Sequence, residues 1–310
     1  VWSTVLSILS LIDYKSKKFM WIFPHPLLNN VQQLENLKSK WLSIDLDEGF
    51  ILHFLEHHSY FHFMQYFFPF WERKDWKMQF KSWVNFSAIY ESYIFDYELR
   101  ILLFSQIILI ENSFKNIFCQ ESCILYGNTW WTGSIYYKDE KVYANIVLPY
   151  IQDIHNGNSK HDAIDLYTKK YTDPKYPPFW NMLEVFTFWH VTKIYKIFSD
   201  SRVKKVVSKK YGLHDEKFAN WMKILVDIRN VCCHHNKLIW VNFKIADVDK
   251  IEWRLSWSKE WLHHACTIVD YLLGYCHPNN NFRNLLRELI NKYPKVNHGI
   301  LSNFEELWSK

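Results

Sequence analysis

The segment "IFDYELRILLFSQIILIENSFKNIF", inside a longer helical stretch at about 87–119, constrains the fold most. At helical spacing Leu99, Leu102, Leu103, Ile107, Leu109, Ile110, Phe114 and Phe118 surround nearly the whole circumference. A helix apolar on every side belongs at the centre of a bundle, not on its surface. Arg100, Gln106 and Glu111 are embedded in it, and each must therefore face a partner, a cleft or a water.

Around that centre most of the chain also reads as helix. "VQQLENLKSKWL" (31–42) has helical periodicity, and 46–71 reads as one helix that starts after an Asp-rich cap and stops at Pro69. Residues 179–198 read as another, opened by Pro177-Pro178, followed by helices at 200–213, 215–235, 259–276 and 281–294. Turn residues gather in 121–178, which reads as an irregular excursion with helices near 141–155 and 161–170. The expected class is all-α. It comprises an uncertain extension (1–24), an N-terminal helical region (25–80) and a helical domain (81–310) that carries the excursion. Aromatic residues make up 19% of the chain, which argues against disorder.

The first residues begin without methionine and hold an apolar run too short to span a bilayer, with its lysines on the wrong side for a secretory signal. Either they form a peripheral helix, or the natural start is Met20. No membrane association is expected. Six irregularly spaced cysteines, two of them adjacent at Cys232-Cys233, read as reduced thiols in a cytoplasmic protein. The net charge of +5 tolerates a polyanionic partner without demonstrating one.

Chemistry concentrates in "DIRNVCCHHNKLIW" (227–240). Asn230 and His234, four apart, share a helix face. Arg229 and His234, five apart, lie about 140° apart on a regular helix, yet a long arginine at a helix end can reach the same phosphate. An imidazole can move protons at a phosphodiester, a guanidinium can stabilise its growing charge, and an amide can orient either. Spacing alone favours a plainer reading, with Arg229 in a surface ion pair and His234 suiting the helix dipole. A zinc site from Cys232, His235, His263 and Cys266 is an alternative. A cysteine-histidine hydrolase ranks lower, because both thiols look like packing residues.

"DIRNVCCHHNKL" resembles the signature of the Abi-like family, abortive-infection proteins of the AbiD/AbiF type, with its pattern Arg-Asn-x-Cys-Ala-His-His-x-Arg-Leu-Trp-Asn. Three further blocks resemble family runs in the expected order. "FLEHHSYFHFMQYFFPFW" is similar to "L-x-x-I-G-Y-Y-R-L-S-G-Y-W-Y-P-F", although the arginine is lost. "IYESYIFDYELRILLFSQIILIENSFKN" is similar to "L-Y-x-F-D-x-x-L-R" followed by "I-E-x-x-x-R". "PPFWNMLEVFTFWHVTKIYKIF" is similar to "P-x-W-x-x-x-E-x-x-x-F-G-x-L-S-x-L-Y".

The resemblance implies an HEPN-type helical bundle and a metal-independent endoribonuclease without cofactor, a toxin-like effector of anti-phage defence that works as a homodimer. Its catalytic residues would be Arg229, Asn230 and His234. His235 and Lys237 would contact RNA, and the run Arg202, Lys204, Lys205, Lys209 and Lys210 could track phosphates. Glu111 and Glu184 would brace the site helices. Cys233 stands for alanine and Lys237 for arginine, which loses a bidentate fork. Leu238-Ile239-Trp240 departs from Leu-Trp-Asn. The rival reading is an RNA-binding toxin component held by a cognate antitoxin RNA with little turnover.

Overall fold

The computed structural model describes residues 27–74, 76–157, 159, 161–240 and 261–296. The uncertain extension and a start at Met20 lie outside them. Three helices come first, α1 (Asn30–Ser39), α2 (Glu48–His57) and α3 (Tyr60–Met64), and then a hairpin of β1 (Trp71–Lys74) and β2 (Lys77–Phe80). The long α4 (Phe86–Tyr126) follows. The excursion holds α5 (Glu140–Ile146), α6 (Leu148–His155) and α7 (Asp162–Lys170). α8 (Phe179–Met182), α9 (Phe188–Ile197), α10 (Ser201–Lys209), α11 (Asp215–Cys233), α12 (Trp261–Cys276) and α13 (Phe282–Lys292) complete the described chain. The fold is all-α apart from the hairpin.

α4 is the axis. The Asn85 side chain accepts from the Ala88 amide to start it, and Gly127, at φ 80, ends it. Leu99, Leu103, Ile107, Ile110, Phe114 and Phe118 are wholly buried along it. Helices α9 to α13 all pack against it. Its apolar girdle is not closed, however. Ile101 and Leu109 are exposed, so one stripe of α4 meets solvent and the helix is central without being sheathed. The helix also runs on to Tyr126, taking the first residues of the expected excursion.

Two expected helices are each broken in two. The segment 46–71 stops at His57, and Ser59 caps a new helix by accepting from the His62 amide at 3.3 Å. The segment 179–198 breaks before Thr187, whose hydroxyl accepts from the His190 amide as part of a capping box. In both places a short hydroxyl side chain satisfies orphan amides, which lets the chain turn between aromatic-rich pieces. The excursion packs into the common core, Trp130 meeting Phe118 of α4 edge-on. Trp130 and Trp131 are buried, and Trp131 donates to the Pro177 carbonyl at 2.8 Å.

The hairpin pairs Trp71 with Phe80, Glu72 with Gln79, Arg73 with Met78 and Lys74 with Lys77. Phe80 anchors it in the core, stacking edge-on against Phe67 and Trp71. The Phe80 amide donates to the Lys40 carbonyl at 2.9 Å, tying the hairpin to the end of α1. No described helix is long and apolar enough to cross a membrane.

Phe114 meets Phe118 on its own helix, Phe188 and Tyr195 on α9, and Phe218 on α11. Phe114→Ala is expected to cost about 3–5 kcal/mol, the usual range for a large side chain removed from a packed core. Urea unfolding checks this, and a loss under about 1 kcal/mol would mean that the bundle does not centre on α4.

Candidate active site at the end of α11

α11 places the arginine-histidine motif at its C-terminal turn. His234 is the capping residue, its amide donating to the Asn230 carbonyl at 3.0 Å. His235 follows in the left-handed region at φ 55. Its amide donates to the Cys232 carbonyl, and the Asn236 amide to the Val231 carbonyl at 3.0 Å. This pair of bonds is a Schellman closure, with histidine where glycine is usual. The left-handed backbone costs a residue with a β-carbon roughly 1–2 kcal/mol, so the surrounding contacts must hold it.

Those contacts converge on Asp96, a fully buried carboxylate of α4. Its Oδ1 accepts from the amides of Leu238 at 3.0 Å and Ile239 at 2.8 Å. Its Oδ2 accepts from the Tyr66 hydroxyl at 2.6 Å and from the Arg100 guanidinium, with which it forms an ion pair. Arg100 also donates to the Tyr66 oxygen at 3.1 Å and to the Asn236 carbonyl at 3.4 Å. Burial, reinforced by the Asp96 charge, raises the Tyr66 hydroxyl's pKa and keeps it a donor. The segment after the motif is thus tied to the central helix, with Tyr66 joining from the end of α3. Asp96 and Arg100 are the aspartate and arginine of the F-D-x-x-L-R run. The sequence reading required a partner for Arg100 but did not single out Asp96 as that partner.

Arg229 and Asn230 are half-buried and His234 is exposed. An Arg229 Nη1 donates to the Asn230 side-chain oxygen at 3.4 Å. Arg229 and His234 share no hydrogen bond among the described residues, and Asn230 is the link between them. The Arg229 Nε is buried and has no hydrogen-bond partner among the described residues.

His62 is a residue that the sequence reading missed. Counted back from Pro69, it stands where the family run carries its arginine. Burial holds its imidazole below the ordinary pKa, and the nearby charges of Arg100, His235 and Lys237 push it the same way. Its Nε2 is buried without a hydrogen-bond partner among the described residues. This imidazole therefore lies close to the motif turn.

The other expected site residues fall in different places. Lys237 points inward, where its ammonium donates to the Gln65 carbonyl at 2.6 Å and lies 5.6 Å from the centres of both the Tyr66 and Trp240 rings. It holds the turn in place and is not free to meet a phosphate. The basic run of α10 sits near the other end of α11, where Tyr211 stacks on Phe218. Helix rise puts Asp215 and His234 about 28 Å apart, so the run does not join the motif. Within it Arg202 pairs with Asp200, Lys204 donates to the Lys196 carbonyl, and Lys205, Lys209 and Lys210 are exposed. Glu111 is buried and pairs with Lys115 at 2.7 Å. Lys115 also donates to the Phe186 carbonyl, so Glu111 braces α4 against the turn before α9. Glu184 is exposed and braces nothing described.

The zinc alternative does not assemble. Among the described residues no three His, Cys, Asp or Glu side chains gather as a metal-binding group. Burial pushes the Cys232 thiol up to about 12 and raises that of Cys266, while His235 is exposed beyond the turn. Such thiols are packing residues, and Cys232 is not an activated nucleophile. All six cysteines are free.

A helical bundle with a polar motif at one helix end, anchored by a buried carboxylate, is the class defined so far. A family model described as Abi-like protein matches residues 53–240, more than half of the chain, from within α2 to the anchored turn. The chain belongs to the Abi-like family, whose role is abortive-infection defence. No curated protein and no solved structure matches it.

Two outcomes test this geometry. Asp96→Ala leaves Arg100 buried without its carboxylate and should cost about 3–5 kcal/mol in urea unfolding, as for other broken buried pairs. Burial lowers the Lys237 ammonium from its ordinary 10.5 to about 8, against the opposing pull of Asp96. The folded state therefore gives up this proton first, and between about pH 8 and 10.5 the unfolded chain binds more protons. The burden of the buried charge is fully present below pH 8 and is relieved as pH rises. The stability of the wild type relative to Lys237→Met should thus increase across that window, by at most about 1.4 kcal/mol per pH unit. A flat difference would mean that Lys237 is solvated.

Proposed function

We propose that this protein is a metal-independent endoribonuclease of the HEPN type, acting as a toxin-like effector of abortive infection. The observation that carries the reading is the motif turn itself. An exposed imidazole, an amide and a half-buried guanidinium lie within six consecutive residues, on a helix end locked to the core through Asp96.

The chemistry follows from what these groups can do. The 2′-hydroxyl of a ribose attacks the adjacent phosphorus while an imidazole takes its proton. The bond from phosphorus to the 5′-oxygen breaks, and that oxygen receives a proton from a second acid. A 2′,3′-cyclic phosphate and a free 5′-hydroxyl result. His234 is the general acid-base, Arg229 neutralises the growing phosphoryl charge, and Asn230 orients the arginine that it binds. One described chain supplies one such motif. A homodimer that faces two motifs across a two-fold axis supplies both imidazoles. Proton transfer and charge stabilisation then come from side chains alone, so no divalent ion is needed.

His234→Ala should lower cleavage by about 10²–10⁴, the usual worth of a positioned acid-base group, with RNA binding largely kept. Arg229→Ala should impair both. Mixed dimers of wild type with His234→Ala should lose most activity, and chelator should leave wild-type activity intact. Gel assays on labelled RNA check all four. Wild-type rates in His234→Ala, activity restored only by added metal, or an active monomer would overturn the mechanism.

A further inference from the structure

The hairpin of β1 and β2 has features that stability does not explain. Trp76, just before β2, has a left-handed backbone at φ 64 while its ring is 85% exposed. Glycine takes this conformation freely, whereas a bulky aromatic there is strained. The chain thus keeps a strained tryptophan that buries almost nothing. Lys74 lies directly opposite Lys77 on one face of the ladder, an arrangement of like charges that destabilises a hairpin. Neither makes an ion pair among the described residues. On the other face Arg73 sits 5.2 Å from the Trp76 ring centre. Trp83, just beyond the hairpin, is 65% exposed, with the Lys81 ammonium 5.8 Å from its ring.

Packed rings link this hairpin to the segment that carries the motif turn, by way of the buried Phe70. Trp83 packs edge-on against Phe70 at 6.0 Å, and Phe70 against Trp240 at 5.8 Å. Trp240 in turn lies under Lys237, in the segment that Asp96 holds. The base of the hairpin is therefore packed, through Phe70, against the segment that follows His234.

Exposed rings with cations beside them match single-stranded nucleic acid, whose bases stack on aromatic faces while its phosphates need positive charge. We propose that the hairpin is a docking surface for single-stranded RNA. Bases stack on Trp76 and Trp83, and phosphates relieve the repulsion between Lys74 and Lys77, with Arg73 as a further contact. The choice of RNA as occupant rests on the ribonuclease reading above. The surface would hold the strand beside the motif and add to affinity for the substrate without touching the reacting atoms.

The test uses the full-length protein and a short, unstructured, labelled 2′-O-methyl RNA, which has no free 2′-hydroxyl to attack and so reports binding alone. Trp76→Gly should keep the wild-type melting temperature or exceed it, since it removes backbone strain. It should weaken binding by about tenfold, the scale of one lost base stack. On ordinary RNA it should raise KM by a similar factor with kcat unchanged. The double change Lys74→Gln with Lys77→Gln should weaken binding and flatten its salt dependence by about one to two ion equivalents. Hairpin variants that bind like wild type would overturn the inference and leave the ribonuclease reading intact. Hairpin-dependent binding by a wild type that cleaves no RNA would uphold the inference and overturn that reading. A wild type that ignores the RNA, or that binds anionic phosphatidylserine vesicles through Trp76 instead, would also overturn the inference.

Discussion

The structure depends on one buried carboxylate. Asp96 sits on the central helix with no exposed surface, and its two oxygens take four donors from three parts of the chain. Desolvating a carboxylate is expensive, and such a network is seldom more stable than well-packed apolar side chains of the same volume. Its effect is positional. Apolar contacts would let the segment 236–240 slide over α4, whereas two backbone amides meeting one oxygen hold it in a single register. Tyr66 meets the other oxygen, so the N-terminal helices are located by the same group.

What hangs on that register is the end of α11. Because Leu238 and Ile239 are fixed, the chain must reverse within a few residues of Cys233. It does so through a left-handed His235. The reversal leaves His234 at the surface and Arg229 half-sunk beside Asn230, so the polar groups of the motif stand on a rigid helix end and not on a mobile loop. Lys237 completes the arrangement from inside, its ammonium closing on the Gln65 carbonyl. The residue that resembles a phosphate contact by type is, by placement, part of the mount.

The parts visible in the sequence were those governed by local periodicity. The apolar spacing of 99–118 marked the central helix, and the spacing through Phe218, Trp221, Ile224, Leu225 and Ile228 placed the motif at the end of the next helix that matters. The breaks at Ser59 and Thr187 carried ordinary capping signals, but dense aromatics on both sides read as continuous helix. The hairpin went unseen because its turn holds Trp76 where Asn-Gly or Gly would announce a reversal. Site residues divided along similar lines. Arg229, Asn230 and His234 are close in sequence and so are close in space. Whether Lys237 faced in or out depended on tertiary packing that local pattern does not encode. Asp96 and His62 lay within blocks already matched to the family, and only the fold shows that both belong beside the motif.

The central claim is that the anchored turn carries a self-sufficient RNA-cleaving pair. End-group analysis of RNA treated with the purified protein in the presence of chelator tests it most directly. The account predicts fragments ending in 2′,3′-cyclic phosphate, with 5′-hydroxyl on the partner fragments. Fragments with 3′-hydroxyl and 5′-phosphate ends would show that water, not the ribose hydroxyl, is the nucleophile, and would contradict the account.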